Sequence, residues 1–155
     1  LVEALSGGAF DVHDAAAAAV VIETCRRLPM QLEPATLDAL DLSIRPLGGQ
    51  MTVFGSTAMH LGPMDNHLGM IARARGDVAG AIERHRLAVE LAEAAGQRLW
   101  VGWSQTHLAE ALMAVDERDV EIARLVDSAL RHARWTGSRR LATAAQTVGD
   151  AAGGR

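Results

Sequence analysis

Apolar positions recur at helical spacing in one stretch of the chain after another, and glycine or proline punctuates the stretches. Residues 1–5 read as a helix end closed by Ser6, Gly7 and Gly8, where glycine supplies a C-terminal cap. Asp11 offers an N-cap, with Asp14 in the first turn, to a helix over 12–28 that ends at Pro29. Pro34 opens the next helix, in which Leu37, Leu40 and Ile44, with Leu42 beside them, form a one-sided face before Pro46, Gly48 and Gly49 end it. Residues 51–54 are the extended piece. Four residues make no sheet alone, and with no partner strand legible they read as a linker whose Val53 and Phe54 pack onto helices.

Two helix pairs follow. The first joins 64–74, carrying Leu68, Ile71, Ala72 and Ala74, to 78–95, whose stripe is Ala81, Ile82, His85, Ala88, Val89, Leu91 and Ala92. Gly76 and Asp77 make the turn between them, and Gly96 closes the pair. The second joins 99–115 to 120–135 through the polar turn at Asp116, Glu117, Arg118 and Asp119. Gly137 caps it, Ser138 starts a last helix to about residue 148, and 151–155 read as a fraying tail, so one helical domain is expected over 1–150.

The two pairs repeat. Leu68 and Leu108 stand 40 residues apart, as do Ala72 and Leu112, while Ala88 and Ala129 stand 41 apart, as do Ala92 and Ala133. The expected roles are mutual packing: Leu68, Leu108 and Leu112 fill space inside a pair, Gly69 and Ala72 admit a close partner helix, and Ala81, Ala88 and Ala129 present flat surfaces. His85 is expected to be packed and hydrogen-bonded within its pair. Stacked pairs then bury a core that neither pair buries alone.

Composition agrees with helices. Of 155 residues 49% are hydrophobic and only 3% aromatic, with no tyrosine, an apolar content dominated by alanine that suits helices better than a sandwich or barrel. The formal charge of −4 argues against direct nucleic-acid binding, and no apolar run reaches membrane-spanning length. Cys25 is the single cysteine, which rules out an intrachain disulfide and a thiolate metal cluster. A chain that starts at Leu1 inside a helix-like segment is expected to be a piece of a longer protein.

Leu68, Gly69, Ala72, Gly76, Ala81, His85 and Ala88 resemble a tetratricopeptide repeat, with His85 where an aromatic residue is commoner; the second copy, with Ala109 for the glycine, Leu112 for the small residue and a longer turn, is degenerate. The run Leu47-Gly48-Gly49-Gln50, Val53-Phe54-Gly55 and Leu61 to Gly69, continued by Arg75 to Ala81, is similar to the helical-repeat region of large bacterial transcriptional regulators that join such repeats to an ATPase module and to a nucleotide-cyclase or LuxR-type output domain. The resemblance implies an all-α fold of antiparallel helix pairs stacked as a short tetratricopeptide-like solenoid, a cytoplasmic location, and a regulatory arm that contacts a protein partner, neighbouring domains of the parent chain or a small effector.

The chain itself carries no phosphate-loop, nucleophile-elbow or HExxH spacing, so no enzyme, metal or cofactor is expected. His60 and His67 are separated by Gly62 and Pro63, whereas His67 and His107 hold similar places in successive first helices; His13 and His132 are expected to face solvent. In stacked pairs the first helices line the concave side, which makes Asn66, Met70, Arg73, Trp103, Thr106, Glu110 and Met113 the candidate groove; Met70, Trp103 and Met113 suit a core equally well. Trp100 and Trp103 share a helix face that can pack against 120–135 or against a further repeat, and open repeat ends allow a homodimer. The leading expectation is a protein-interaction or regulatory module, the alternative a domain that senses a small effector and controls an adjacent ATPase or output domain.

Overall fold

The computed structural model describes residues 19, 22, 32–54, 59–116 and 120–153. The expected helices at 1–5 and 12–28 lie outside the described residues apart from Ala19 and Ile22, both helical and buried. Six α-helices then follow in order: α1 (Pro34–Ile44), α2 (Met64–Ala74), α3 (Val78–Ala94), α4 (Arg98–Met113), α5 (Val120–Thr136) and α6 (Arg139–Gly153). Each of α1 to α5 packs on the next, and α6 also reaches back to α4, an all-α arrangement of sequential, solenoid-like packing.

The turns explain the tight pairing. After α2 the Gly76 N–H donates to the Arg73 carbonyl and the Asp77 N–H to the Ala72 carbonyl, both at 2.9 Å. This double bond pattern satisfies carbonyls that the helix end leaves open, and it needs a left-handed residue, met by Gly76 at φ 81°. The same pattern closes α3 at Gly96, with φ 65°. Asp77 also caps α3, its carboxylate accepting from the Gly80 N–H at 2.9 Å.

Two expectations are corrected. Residues 51–54 are no lone linker: β1 (Met51–Phe54) pairs antiparallel with β2 (Met59–Pro63), Met51 facing Pro63 and Phe54 facing Met59. Gly62 and Pro63 hid the second strand, because both read as breakers. What holds it is tertiary packing, since the Trp100 indole of α4 occupies the space where a Gly62 side chain would stand. The side chains of Val53 and Phe54 lie outside the described residues. The second correction is at the end of the chain, where α6 continues to Gly153 instead of ending near residue 148.

The apolar core falls into two clusters. One gathers Ile22, Leu37, Leu40, Ile44, Met64, Leu68 and Ile71; the other gathers Leu108, Ala109, Leu112, Ile122, Val126 and Val148. Leu42 belongs to neither and is 67% exposed. Charge ties α1 to α2: the buried Asp41 pairs with Arg45 and, at 2.9 Å, with Arg75, which also reaches Asp38 at 2.5 Å. Burial alone would raise the Asp41 carboxyl, but the hydrogen bonds from Arg45 and Arg75 outweigh it and hold the group below its ordinary range.

Candidate functional site

The junction of α2, α3 and α4 is polar although it is buried. Asp65, in the first turn of α2 and fully buried, accepts from the Gly49 N–H at 2.6 Å and from Arg84 Nη1 at 2.9 Å, so one carboxylate fastens both the 48–49 turn and α3 to the start of α2. Next to it the Asn66 amide donates to Ser104 Oγ at 2.9 Å, and Asn66 Oδ1 lies 3.4 Å from Nδ1 of His85. A carbonyl oxygen only accepts, which places the imidazole proton on Nδ1. Burial, and after it the proximity of His107, push the His85 pKa well below the ordinary imidazole value, so the ring is neutral at pH 7.

His85 and His107 lie side by side, ring centroids 5.6 Å apart, and Trp103 stacks on His107 at 5.9 Å. His107 is 5% exposed and its Nδ1 is buried with no hydrogen-bond partner; Glu110 Oε2, one turn on, stands 3.9 Å away, beyond hydrogen-bonding range. Glu110 pairs across to Arg73 of α2 at 3.1 Å.

These groups border a cavity of about 870 Å³. Its walls are mostly apolar: Ile22, Leu32 and Leu37 on one side, Met70, Ile71 and Ala74 of α2, Met113 and Ala114 at the end of α4, and Val148 and Ala151 of α6. Arg73, His85, His107, Glu110 and Thr147 are its polar lining. The volume and the mix of apolar wall with a few converging polar groups fall within the range of small-molecule sites.

Of the seven groove candidates, Met70, Arg73, Glu110 and Met113 meet at this cavity. Two are corrected: Asn66, 2% exposed, and Thr106, with no exposed surface, point inward. Asn66 serves the polar junction, and Thr106 Oγ1 bonds the Gly102 carbonyl of its own helix at 2.9 Å. Trp103 is half-buried and stands behind His107 rather than in the lining. Among the packing candidates Leu68, Gly69, Ala81, His85, Ala88, Leu108, Leu112 and Ala129 are buried and Ala72 is half-buried. Gly69 admits the His85 imidazole, whose Cε1 would stand 2.5 Å from any Cβ placed there.

His107 was not among the groove candidates, nor was α6. The signal for His107 was present, because it lies four residues after Trp103 and three before Glu110 on one helix face. The contribution of α6 had no sequence signal, since it depends on how the helix folds back over α4. The tryptophans also separate: Trp100 stacks on His60 at 5.8 Å, and Trp135 is 68% exposed under the Arg98 guanidinium at 4.1 Å. His132 is half-buried rather than solvent-facing, and burial, then Arg98 and Arg131, lower its pKa. His13 lies outside the described residues. Among the described residues no group of three or more His, Cys, Asp or Glu side chains is placed to hold a metal ion, and no helix is long and apolar enough to cross a membrane. No protein-family model matches the chain, no curated protein matches it, and no solved structure matches it.

Proposed function

We propose that this chain is a non-catalytic binding module of a larger bacterial regulator, built of tetratricopeptide-like helix pairs, and that a small effector occupying the cavity between them is what it senses. The observation that carries this reading is the cavity itself, about 870 Å³ with apolar walls and one polar corner at Arg73, His107 and Glu110. Its walls come from opposite ends of the chain, Ile22 and Leu37 on one side and Val148 and Ala151 on the other. An occupant that touches both sides changes the curvature of the stack, and that change is how a repeat arm passes a signal to a neighbouring ATPase or output domain.

A thermal-shift screen of cytoplasmic metabolites tests the proposal, with Ala74→Trp as the companion variant. Ala74 is exposed on the cavity lining, so an indole there narrows the space without replacing a buried core residue. A compound that raises Tm in the wild type and leaves Ala74→Trp unmoved supports the reading; a compound that raises both equally binds elsewhere.

A protein partner is the second reading, favoured by Trp135. An exposed tryptophan held under an arginine is the kind of side chain that anchors a protein interface. Trp135→Ala would abolish capture by such a partner and leave effector binding intact.

A further inference from the structure

From α1 to α3 the arginines hold carboxylates. Arg45 and Arg75 pair with Asp41, Arg73 with Glu110, Arg84 with Asp65 and Arg86 with Glu121. The pattern stops at α4. Arg98, Arg131, Arg134, Arg139 and Arg140 are all exposed, and among the described residues none of them makes an ion pair. Residues 131–140 hold four arginines and no aspartate or glutamate, in a chain whose formal charge is −4.

The fold draws these cations to one end of α4, α5 and α6. At the turn between α5 and α6 the Gly137 N–H donates to the Arg134 carbonyl and the Ser138 N–H to the Ala133 carbonyl, which sets Arg134 and Trp135 beside Arg139 and Arg140. The start of α4 lies at the same end: a Cβ on Gly102 would meet both His132 and Leu141, and the Arg98 guanidinium covers Trp135 at 4.1 Å. Arg131, Arg134 and Trp135 share a face of α5 through their spacing of three and four. Helix stability does not call for this arrangement, because a first turn favours acidic side chains and α6 places Arg139 and Arg140 there. Nor does the core call for Trp135, which is 68% exposed.

We infer that this end of the molecule docks an acidic peptide segment of a partner protein, with Asp and Glu side chains on the arginines and one apolar side chain on Trp135; the inference rests on the protein-partner reading above. Arginine holds a carboxylate through two parallel hydrogen bonds, and Trp and Arg dominate the binding energy of protein interfaces. The patch is short, which selects a peptide over a long polyanion. Asp127 stands one turn before Arg131, and Glu93 is close enough to His132 to act on its charge, so a nucleic-acid strand would run from the arginines onto carboxylates. A membrane surface needs several apolar side chains in one plane. Val115 and Val120, exposed like Trp135, flank the α4–α5 turn at the opposite end of these helices.

The test is selection of dodecapeptides from a random display library on the full chain at pH 7.5 in about 0.1 M NaCl. Selected peptides are synthesised with a fluorescent label and their Kd is read by anisotropy. They are expected to be rich in Asp and Glu around one aromatic or leucine, and to lose at least about tenfold in affinity when the acids become Asn and Gln. Trp135→Ala is expected to weaken them at least about tenfold, and the double variant Arg139→Gln with Arg140→Gln about fivefold. These three positions are exposed, and the peptide series itself needs no variant. Neutral peptides that bind through Trp135 would overturn the acidic class and leave the protein-partner reading standing. So would a single-stranded oligothymidylate, or a phosphatidylcholine–phosphatidylserine vesicle, that binds more tightly than the best peptide and is lost with Arg139 and Arg140. Selection that yields no peptide sensitive to Trp135→Ala would overturn both.

Discussion

The imidazole of His85 lies directly over the Cα of Gly69, with Cε1 at 2.5 Å, Nε2 at 2.7 Å and Nδ1 at 2.8 Å from the position a Cβ would take. The second repeat solves the same contact differently. Forty residues after Gly69 stands Ala109, and 41 after His85 stands Val126; both are buried in one cluster. A wide ring requires glycine opposite it, and a narrower valine admits alanine. Gly69→Ala is therefore expected to cost about 1–3 kcal/mol, because His85 is too buried to move aside and the loss exceeds the roughly 1 kcal/mol that alanine gains in a helix. The double variant Gly69→Ala with His85→Val should recover at least half of that loss. Urea unfolding of the four combinations measures it, and an unchanged double variant would show that the contact is not what limits the site.

Acid should weaken the fold through its buried histidine. His85 is held neutral in the folded chain, its pKa well below the ordinary value, while the unfolded chain takes up the proton near pH 6.5. Between those two points the unfolded state binds more protons, so stability rises with pH, is complete above about 6.5, and falls as the pH drops below it. His132 acts in the same direction. Each group contributes a slope of at most about 1.4 kcal/mol per pH unit. Asp41 enters later, since its lowered pKa protects stability until the pH falls below the usual carboxylate range. Urea midpoints at pH 7.5 and 5.0 check this: the midpoint should fall, and His85→Gln, which keeps an amide to face Asn66, should reduce the difference. A midpoint that does not change with pH would mean that His85 is not held neutral.

Two ion pairs in the molecule should differ several-fold in worth. Asp65 is fully buried and holds both the Gly49 N–H and Arg84, so Asp65→Asn removes one charge-assisted acceptor from two donors at once and is expected to cost about 2–4 kcal/mol. Arg86 and Glu121 join α3 to α5 at 3.0 Å, yet their side chains are 53% and 29% exposed, and Arg86→Ala should cost less than about 1 kcal/mol. Denaturant unfolding of the two variants compares them directly. Equal losses would mean that burial does not set the strength of these pairs.

The sequence revealed the helix pairs because their signals are local. Glycine at each turn, the alanine stripe of α3 and the 40-residue offset are all visible without coordinates, and so were Met70, Arg73, Glu110 and Met113 as residues of one face. That offset also makes Glu110 the counterpart of Met70 and Met113 the counterpart of Arg73, which is why charge and apolar surface alternate on the lining. Periodicity could not say which polar residues are buried. Asn66 and Thr106 sit on the same helices as Arg73 and Glu110, and only the folded chain shows that both are buried, Asn66 bonded to Ser104 across the junction and Thr106 to the Gly102 carbonyl of its own helix. The hairpin was hidden for a related reason: β2 has weak strand character of its own and is held by Trp100 from a helix more than 30 residues away.

That hairpin supplies the last prediction. Gly62 has φ 73°, a conformation that an alanine adopts at a cost of about 1 kcal/mol, and the Trp100 indole also fills the volume a side chain would need. Gly62→Ala thus meets two penalties of different origin, together about 2–4 kcal/mol. They can be separated by changing Trp100. In a Trp100→Ala background the steric penalty disappears and the backbone penalty remains, so Gly62→Ala should cost about 1 kcal/mol there, and the difference is the coupling between the two residues. Hydrogen exchange locates the effect: amides of β1 and β2 should exchange faster in Gly62→Ala while those of α5 and α6 keep their protection, because the main helix contacts of β2 are with α2, α3 and α4. Uniform loss of protection across all the helices would instead make the hairpin part of the cooperative core.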